Sequence, residues 1–136
     1  MRTLLGISGY YHDSAAALLI DGEIVAAAQE ERFSRRKNDE RFPVHAVFFC
    51  LKQAGIGLAD VDAVVFYDKP VVKFSRVLES FLAIAPAGLP AWLRVLPSWL
   101  SEKLNLRQTI RDELDGLPAE CPILFTEHHV AHAASA

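Results

Sequence analysis

Ala15-Ala16-Ala17-Leu18-Leu19-Ile20-Asp21-Gly22-Glu23-Ile24-Val25-Ala26-Ala27 is the stretch that decides the fold of this 136-residue chain. Two apolar runs flank Asp21-Gly22, and a two-residue Asp-Gly connection is typical of a type I′ turn, in which both central residues have positive φ. The stretch therefore predicts a β-hairpin, with one strand over residues 15–20 and the next over residues 23–27.

Three further strands complete the predicted sheet. Residues 3–8 predict a strand before the hairpin, and residues 61–67 and 122–126 predict a fourth and a fifth strand. Between the third and fourth strands we expect a helix that Pro43 opens and Gly55 closes, because proline favours helix starts and glycine favours helix ends.

A long helical stretch interrupted by prolines, over about residues 72–114, lies between the last two strands. Charged side chains recur in it too often for a bilayer segment, so we expect this aromatic insertion to pack as a lid. The predicted order is β-β-β-α-β-α-β-α, a mixed sheet with helices on its faces. This α/β order matches the ribonuclease-H-like half of the actin, sugar-kinase and Hsp70 ATPase fold, with a helical insertion.

Composition argues against several classes of function. A net charge of −3 gives no electrostatic basis for a nucleic-acid or anionic-membrane partner. The apolar part of the N-terminus is too short and too interrupted by glycine for a signal peptide or a spanning helix. Two cysteines make no disulfide framework, so we expect a reduced, cytoplasmic protein.

The segment Glu127-His128-His129-Val130-Ala131-His132 follows the fifth strand. Thr126 is placed to cap a helix there, and His128 and His132, four residues apart, would share one face of it. Such a pair can bind one metal ion, but a metal site needs at least three protein ligands or bound substrate oxygens. The alternative is that these histidines only cap or pack the helix.

The loop between the first two strands carries His12, Asp13 and Ser14. Together they offer a proton carrier, an orienting carboxylate and a hydroxyl. In a kinase-like half-fold this loop faces the cleft between domains, where its backbone N–H groups can bind phosphate. The alternative is a polar turn in which Asp13 and Ser14 bond the local backbone.

A charged segment, Glu30-Glu31-Arg32-Phe33-Ser34-Arg35-Arg36-Lys37-Asn38-Asp39, follows the hairpin. One interpretation is an anion-binding loop, in which arginine and lysine neutralise phosphate and the acids hold them in place. The alternative is a solvated connection.

In this order the three segments resemble the N-terminal part of the NodU/CmcH family of O-carbamoyltransferases. The matching motifs are HDSAAALL after the first strand, EERFSRRKND followed by FP, and HHVAHAASA at the end. The insertion, with KFSRVLE and WLSEKL, is also similar to that family. The resemblance covers essentially the whole chain, and the motifs are specific jointly rather than singly.

The resemblance implies a two-domain enzyme, of which residues 1–136 are an incomplete N-terminal, carbamoyl-transfer domain. A missing C-terminal domain would form carbamoyl-adenylate from ATP and carbamoyl phosphate. This domain would then pass the carbamoyl group to a hydroxyl of a small molecule such as a sugar or an antibiotic. The fragment alone is expected to be inactive, and formation of a homo-oligomer is left open.

The resemblance also implies roles for individual residues. The catalytic residues would be His12, as acid/base or orienting group, and Lys37, as partner of a phosphate. The metal ligands would be His128 and His132, with iron(II) favoured over zinc and a carboxylate supplied by residues absent from the chain. The residues expected to bind substrate or phosphate are Asp13, Ser14 and Arg36.

Two other functions are alternatives at this point. Half of a sugar kinase or ATPase typically has an aspartate at the end of its first strand, where this chain has Ser8, and has no need of a histidine trio. A non-catalytic partner-binding module would use the aromatic insertion as its contact surface. The metal content of the purified protein distinguishes the three functions.

Overall fold

The computed structural model describes residues 1–68 and 105–134, together with positions 79–80, 82–83, 90, 93–94 and 97. It gives the backbone but not the side chains of His128, His129 and His132. The chain divides into two compact units, one formed by Met1–Asp68 with Glu113–Ala136 and the other by Lys69–Asp112. Because most positions between 69 and 104 are not described, most of the predicted insertion at about 72–114 lies outside the described residues.

Three strands come first along the chain, and helices then alternate with the remaining strands. In chain order the elements are β1 (Thr3–Ser8), β2 (Ala15–Ile20), β3 (Glu23–Gln29), α1 (Glu31–Ser34), α2 (Val44–Ala54), β4 (Ala63–Phe66), α3 (Leu106–Glu113), β5 (Ile123–Phe125) and α4 (His128–Ala134). A 3₁₀ turn over Leu58–Asp60 precedes β4.

The five strands form a mixed sheet in the order β3-β2-β1-β4-β5. β2 pairs antiparallel with both β1 and β3, whereas β4 pairs parallel with both β1 and β5. A three-strand meander followed by parallel strands reached through crossovers is the arrangement predicted from the sequence. The α/β fold class, a ribonuclease-H-like half of the actin and sugar-kinase architecture, is confirmed.

The hairpin has the turn that its sequence predicts. Asp21 and Gly22 both have positive φ, +52° and +91°, as a type I′ turn requires. The Asp21 carboxylate also accepts a hydrogen bond from the backbone N–H of Arg2 at 2.7 Å, which ties the turn to the start of β1. β3 continues two residues beyond the predicted end, to Gln29.

The apolar core lies on one face of the sheet, under α2. Side chains along β1 alternate between buried and half-buried, as a strand covered on one face requires. The buried residues on this side are Leu5, Ile7, Ala16, Leu18, Val64 and Phe66 from the strands, and Ala46, Val47, Cys50 and Leu51 from α2. The opposite face, which carries Gly6, Ala15 and Ala17, is only half-buried.

The charged segment after the hairpin contains the short helix α1. The backbone N–H groups of Phe33 and Ser34 both bond the carbonyl of Glu30, at 3.0 and 2.9 Å. Arg35 then ends the helix in the left-handed conformation, with φ of +57°. Helix α1 is short and its segment has a weak apolar pattern. It forms because Glu30, which accepts these two hydrogen bonds, is itself held in place by the contacts described below.

The cap predicted for α4 is wrong by one position. Ala131 N–H donates to the carbonyl of Glu127 at 2.9 Å, so Glu127 rather than Thr126 immediately precedes the helix. Thr126 instead donates its N–H to the carbonyl of Phe66 at 3.0 Å and prolongs the pairing of β5 with β4. Its position therefore follows from the sheet and not from the helix.

A buried carboxylate holds the N-terminus of α2. Glu30 is 2% exposed and accepts hydrogen bonds from the N–H of Ala46 at 2.9 Å and of His45 at 3.3 Å. His45 Nδ1 lies 2.5 Å from the same carboxylate. Pro43, at the cap position itself, makes no side-chain cap bond. Glu30 therefore satisfies helix-end donors that would otherwise be unpaired. Its negative charge also interacts favourably with the positive end of the helix dipole.

We predict that Glu30→Ala lowers the free energy of unfolding by about 2 kcal/mol, because buried donors lose their acceptor. Urea titration followed by far-UV circular dichroism measures this change. Glu31→Ala is the matched control, since its carboxylate accepts a single exposed bond from the N–H of Asn38 at 3.2 Å. Equal shifts in the two variants would contradict the assignment of Glu30 as the cap of α2.

Candidate functional site

The carboxyl ends of the three parallel strands β1, β4 and β5 meet at one edge of the sheet. Just beyond the strands, Tyr67 N–H donates to the carbonyl of Ile7 at 3.1 Å, and Thr126 N–H donates to Phe66 at 3.0 Å. β1 leads into the loop with His12, and β5 leads into α4. Open α/β sheets bind ligands outside the carboxyl ends of their strands, so this edge is the candidate site.

His12 and Asp13 form an exposed pair on the loop after β1. His12 Nδ1 lies 2.8 Å from Asp13 Oδ2, and the two side chains are 59% and 42% exposed. The Tyr11 ring packs on the imidazole, with centroids 4.4 Å apart. Because the carboxylate occupies Nδ1, Nε2 is the ring nitrogen that can meet a ligand.

Ser14 is buried, whereas the His12 and Asp13 side chains that precede it are exposed. The residue is 1% exposed, and its hydroxyl has no hydrogen-bond partner in the described part of the chain. The Ser14 backbone holds the loop in place. Its N–H donates to the backbone carbonyl of Asp39 at 2.9 Å, and its carbonyl accepts a hydrogen bond from the N–H of Glu30 at 2.8 Å. A role for Ser14 in binding substrate stays a prediction.

The loops that carry His12 and Lys37 are joined through their backbones. Besides the bond from Ser14 to Asp39, Tyr10 N–H donates to the carbonyl of Glu40 at 2.8 Å. Arg36 and Lys37 are exposed, and their side chains make no ion pair within the described ranges. The fold thus brings the two predicted catalytic segments together and leaves these cations available to an anion.

The acid expected to hold those cations has a different partner. Asp39 forms a two-pronged pair with Arg41, with Nε to Oδ1 at 2.9 Å and Nη2 to Oδ2 at 2.6 Å. Hydrogen bonds from Arg41, and then from Ser34, hold the pKa of the Asp39 carboxyl well below its ordinary value, and the same pair raises the pKa of Arg41. Sequence reasoning missed Arg41, for which the Asp-x-Arg spacing was the available signal.

A cavity of about 950 Å³ runs along the half-buried face of the sheet at this edge. The residues that line it are Gly6, Ile7, Ser8, Ala15, Ala16, Ala17, Ala27, Ala28, Gln29, Arg32, Phe33, Phe49, Val65, Tyr67, Thr126 and Ala131. Ser8 leads into the His12 loop, Arg32 belongs to the charged segment, and Thr126 and Ala131 flank the first histidines of α4. The cavity therefore borders part of each of the three motif-bearing segments, but its lining includes neither His12 nor Lys37.

Two tyrosines near this edge have perturbed hydroxyls. Burial, and next the charge of Glu113, raise the pKa of Tyr10 to about 12. Burial, with smaller contributions from Asp68 and Tyr11, raises the pKa of Tyr67 to about 12 as well. Both phenols stay protonated at neutral pH, as an unperturbed tyrosine also does, and Tyr67 is one of the residues that line the cavity.

Helix α4 places His128 and His132 four residues apart, the spacing that puts two imidazoles on one helix face. This backbone arrangement fits two ligands of one metal ion. Their side chains lie outside the described part of the structure. Among the side chains that are described, no three His, Cys, Asp or Glu residues are grouped so as to hold a metal ion.

No helix within the described ranges is both long enough and apolar enough to cross a membrane.

The sheet order, the joined loops and the helix after β5 define the class of this chain as a ribonuclease-H-like half-domain, with a candidate site at its parallel-strand edge. Residues 3–136 match the family described as carbamoyltransferase N-terminus. The chain belongs to that family, as its three motifs indicated.

Curated relatives are considerably longer than this chain. The uncharacterized protein sll1178 of Synechocystis sp. is 52% identical over 142 residues, which is 100% of this chain and 23% of that protein. The nodulation protein NolNO of Sinorhizobium fredii is 30% identical over 127 residues, 93% of this chain and 17% of that protein. The chain thus spans about a quarter or less of the length of these two relatives.

Solved structures give weaker similarity. YeaZ from Pseudomonas aeruginosa aligns at 19% identity with a TM-score of 0.48, over 93% of this chain and 44% of that one. A protein with similarity to peptidase YeaZ, also from Pseudomonas aeruginosa, aligns at 18% identity with a TM-score of 0.45.

We predict that Asp39→Asn destabilises the chain at neutral pH but not in strong acid. A carboxyl whose pKa is lowered by folding contributes stability above its unfolded pKa, near 3.8, and loses it as the pH falls through the native pKa. Urea midpoints should therefore differ between the parent and Asp39→Asn at pH 7 and converge as the pH falls below about 4. A difference that is constant with pH would show that the pair with Arg41 is not responsible.

Proposed function

We propose that this chain is the transfer domain of an O-carbamoyltransferase. In this proposal the domain takes the carbamoyl group of carbamoyl-adenylate, made elsewhere in the full-length protein from ATP and carbamoyl phosphate, and passes it to a hydroxyl of a small molecule. The observation that carries the proposal is the cavity at the parallel-strand edge, because all three motif-bearing segments border it. Family membership supports the reaction class.

His12 is the proposed acceptor of the hydroxyl proton. The acceptor oxygen forms a bond to the carbamoyl carbon, the bond from that carbon to the phosphate oxygen of AMP breaks, and the hydroxyl proton passes to Nε2. The Asp13 carboxylate at 2.8 Å from Nδ1 supports this role, because it fixes the tautomer and stabilises the imidazolium that forms.

Lys37, with Arg36 beside it, is the proposed partner of the departing phosphate. The phosphate gains negative charge as the bond to the carbamoyl carbon breaks, and a nearby cation stabilises that charge. The exposure of both side chains and the backbone bonds that join their loop to the His12 loop support this role. Asp39 is engaged by Arg41 and does not neutralise them.

A divalent metal, iron(II) in preference to zinc, is the proposed cofactor. His128 and His132 would hold it, together with a carboxylate from outside this chain. When bound, the metal would polarise the carbamoyl carbonyl as a Lewis acid. We place the protein in the cytoplasm, in keeping with the free, buried thiols of Cys50 and Cys121.

The transfer step can be tested in the full-length protein. His12→Ala should slow carbamoyl transfer to an alcohol about a hundredfold, the low end of typical acid/base contributions, while pyrophosphate release from ATP and carbamoyl phosphate continues. His45→Ala is the matched control, because His45 also binds a carboxylate through Nδ1 and is 65% exposed, but lies on α2. Loss of pyrophosphate release in His12→Ala, or equal effects of both variants on transfer, would refute the assignment.

Metal binding is a separate prediction. Two imidazoles leave the remaining positions of the ion to water, so anaerobic titration of this chain with iron(II) should show weak binding. His132→Ala should abolish that binding, since one imidazole is a poor site. An unchanged titration of His128→Ala/His132→Ala would show that α4 does not bind the metal.

A further inference from the structure

The loop that carries His12 has an uncommon backbone conformation on both sides of it. Tyr10 and Asp13 have φ of +64° and +53°, a region that residues other than glycine seldom adopt and that costs a tyrosine free energy. The Tyr10 ring packs against Phe42 and Phe66, with centroids 6.0 and 6.3 Å away, and these contacts offset the cost. The loop is therefore held in a strained conformation by the packing beneath it.

This backbone brings two neighbouring side chains into contact. In an extended chain, successive side chains point in opposite directions. In this loop, however, the rings of Tyr11 and His12 have centroids 4.4 Å apart and planes inclined by 45°. The same imidazole has its Nδ1 2.8 Å from the Asp13 carboxylate. A ring and a carboxylate therefore contact the imidazole and leave its Nε2 atom for a reacting group.

The Tyr11 side chain is also close to the end of β4. Burial first, and then the neighbouring Asp68 and Tyr11, raise the pKa of Tyr67 to about 12, so the two phenols lie near each other. Tyr67 is fixed in turn, because its N–H donates to the carbonyl of Ile7 at 3.1 Å and its ring packs on Phe66 at 5.2 Å. Tyr11 thus lies between the exposed imidazole and an anchored residue of the sheet edge.

An exposed imidazole needs such a contact if it is to act as a base. His12 is 59% exposed, and a side chain in water moves among several rotamers. A general base must lie within hydrogen-bond reach of the proton that it accepts, so every other rotamer lowers the rate. The Asp13 carboxylate fixes one nitrogen but leaves the ring plane free to turn about that hydrogen bond. A ring packed on the imidazole restricts this rotation.

We infer that Tyr11 is a positioning residue, whose ring holds the His12 imidazole with Nε2 directed at the hydroxyl of the acceptor. The inference rests on the proposed function and adds to it a residue that acts through His12 and not on the reacting atoms.

Kinetics of the full-length protein test this role. Tyr11→Leu removes the ring and keeps an apolar side chain. We expect kcat for carbamoyl transfer to an alcohol to fall about fivefold, the scale of one aromatic contact, while KM for the alcohol and the rate of pyrophosphate release stay unchanged. Tyr11→Phe should retain most of kcat, because the ring remains. Equal losses in the two variants, or a raised KM with kcat unchanged, would overturn the inference.

The orientation of the imidazole can be measured apart from activity. In full-length protein labelled with carbon-13 at the histidine Cε1 position, the NMR resonance of His12 is the one lost in His12→Ala. The ring current of Tyr11 shifts this resonance, so it should move in Tyr11→Leu and stay near its parent position in Tyr11→Phe. An unchanged His12 resonance in Tyr11→Leu would show that the ring does not hold the imidazole, and the inference would be wrong.

Phe48→Leu is the matched control, because it removes an aromatic ring that is 53% exposed on α2. It should change neither the His12 resonance nor kcat. A shift or a loss of rate in Phe48→Leu equal to that in Tyr11→Leu would show that removing any exposed ring has this effect, and would overturn the inference.

The outcomes separate this inference from the proposed function. Absence of carbamoyl transfer to any alcohol in the parent protein would refute the proposed function, and the His12 resonance would then decide alone whether Tyr11 orients the imidazole. Transfer that is slowed by His12→Ala but not by Tyr11→Leu would refute the inference and leave the proposed function standing.

Discussion

The buried carboxylate of Glu30 is the constraint on which the rest of the structure depends. Its oxygens bind the first N–H groups of α2, and its backbone N–H binds Ser14, at the end of the His12 loop. Its carbonyl starts α1. One residue at the end of β3 thereby fixes two helices and a loop. A buried carboxylate without these donors would be strongly unfavourable. The two helices and the His12 loop must therefore form together.

The position of the candidate site follows from the direction of the strands. β1, β4 and β5 are parallel, so the segments that follow them must emerge at the same edge. The antiparallel hairpin adds a further segment there, because β3 ends on the side where β1 ends. Residues distant in sequence, such as His12, Lys37 and the histidines of α4, thus lie on segments that reach one edge without any need for a long loop.

Strong local patterns made most of the fold predictable from sequence. The Asp21-Gly22 turn, the alternation along β1 and the glycine that ends α2 each depend on neighbouring residues. The cap of α2 was not predictable, because its carboxylate comes from a position 15 residues earlier. The partner of Asp39 was missed for a different reason. Arg41 lies only two residues away, but several arginines are nearby, and the course of the loop decides which of them forms the pair.

The two faces of the sheet carry side chains of different size. Gly6, Ala17 and Ala27 bury little apolar area, and glycine in a strand interior weakens the sheet by its backbone entropy. Leu5 and Leu18 on the opposite face are fully buried and supply the apolar burial that these small residues lack. One face thus holds the sheet together against α2, and the other leaves apolar surface beside the candidate site.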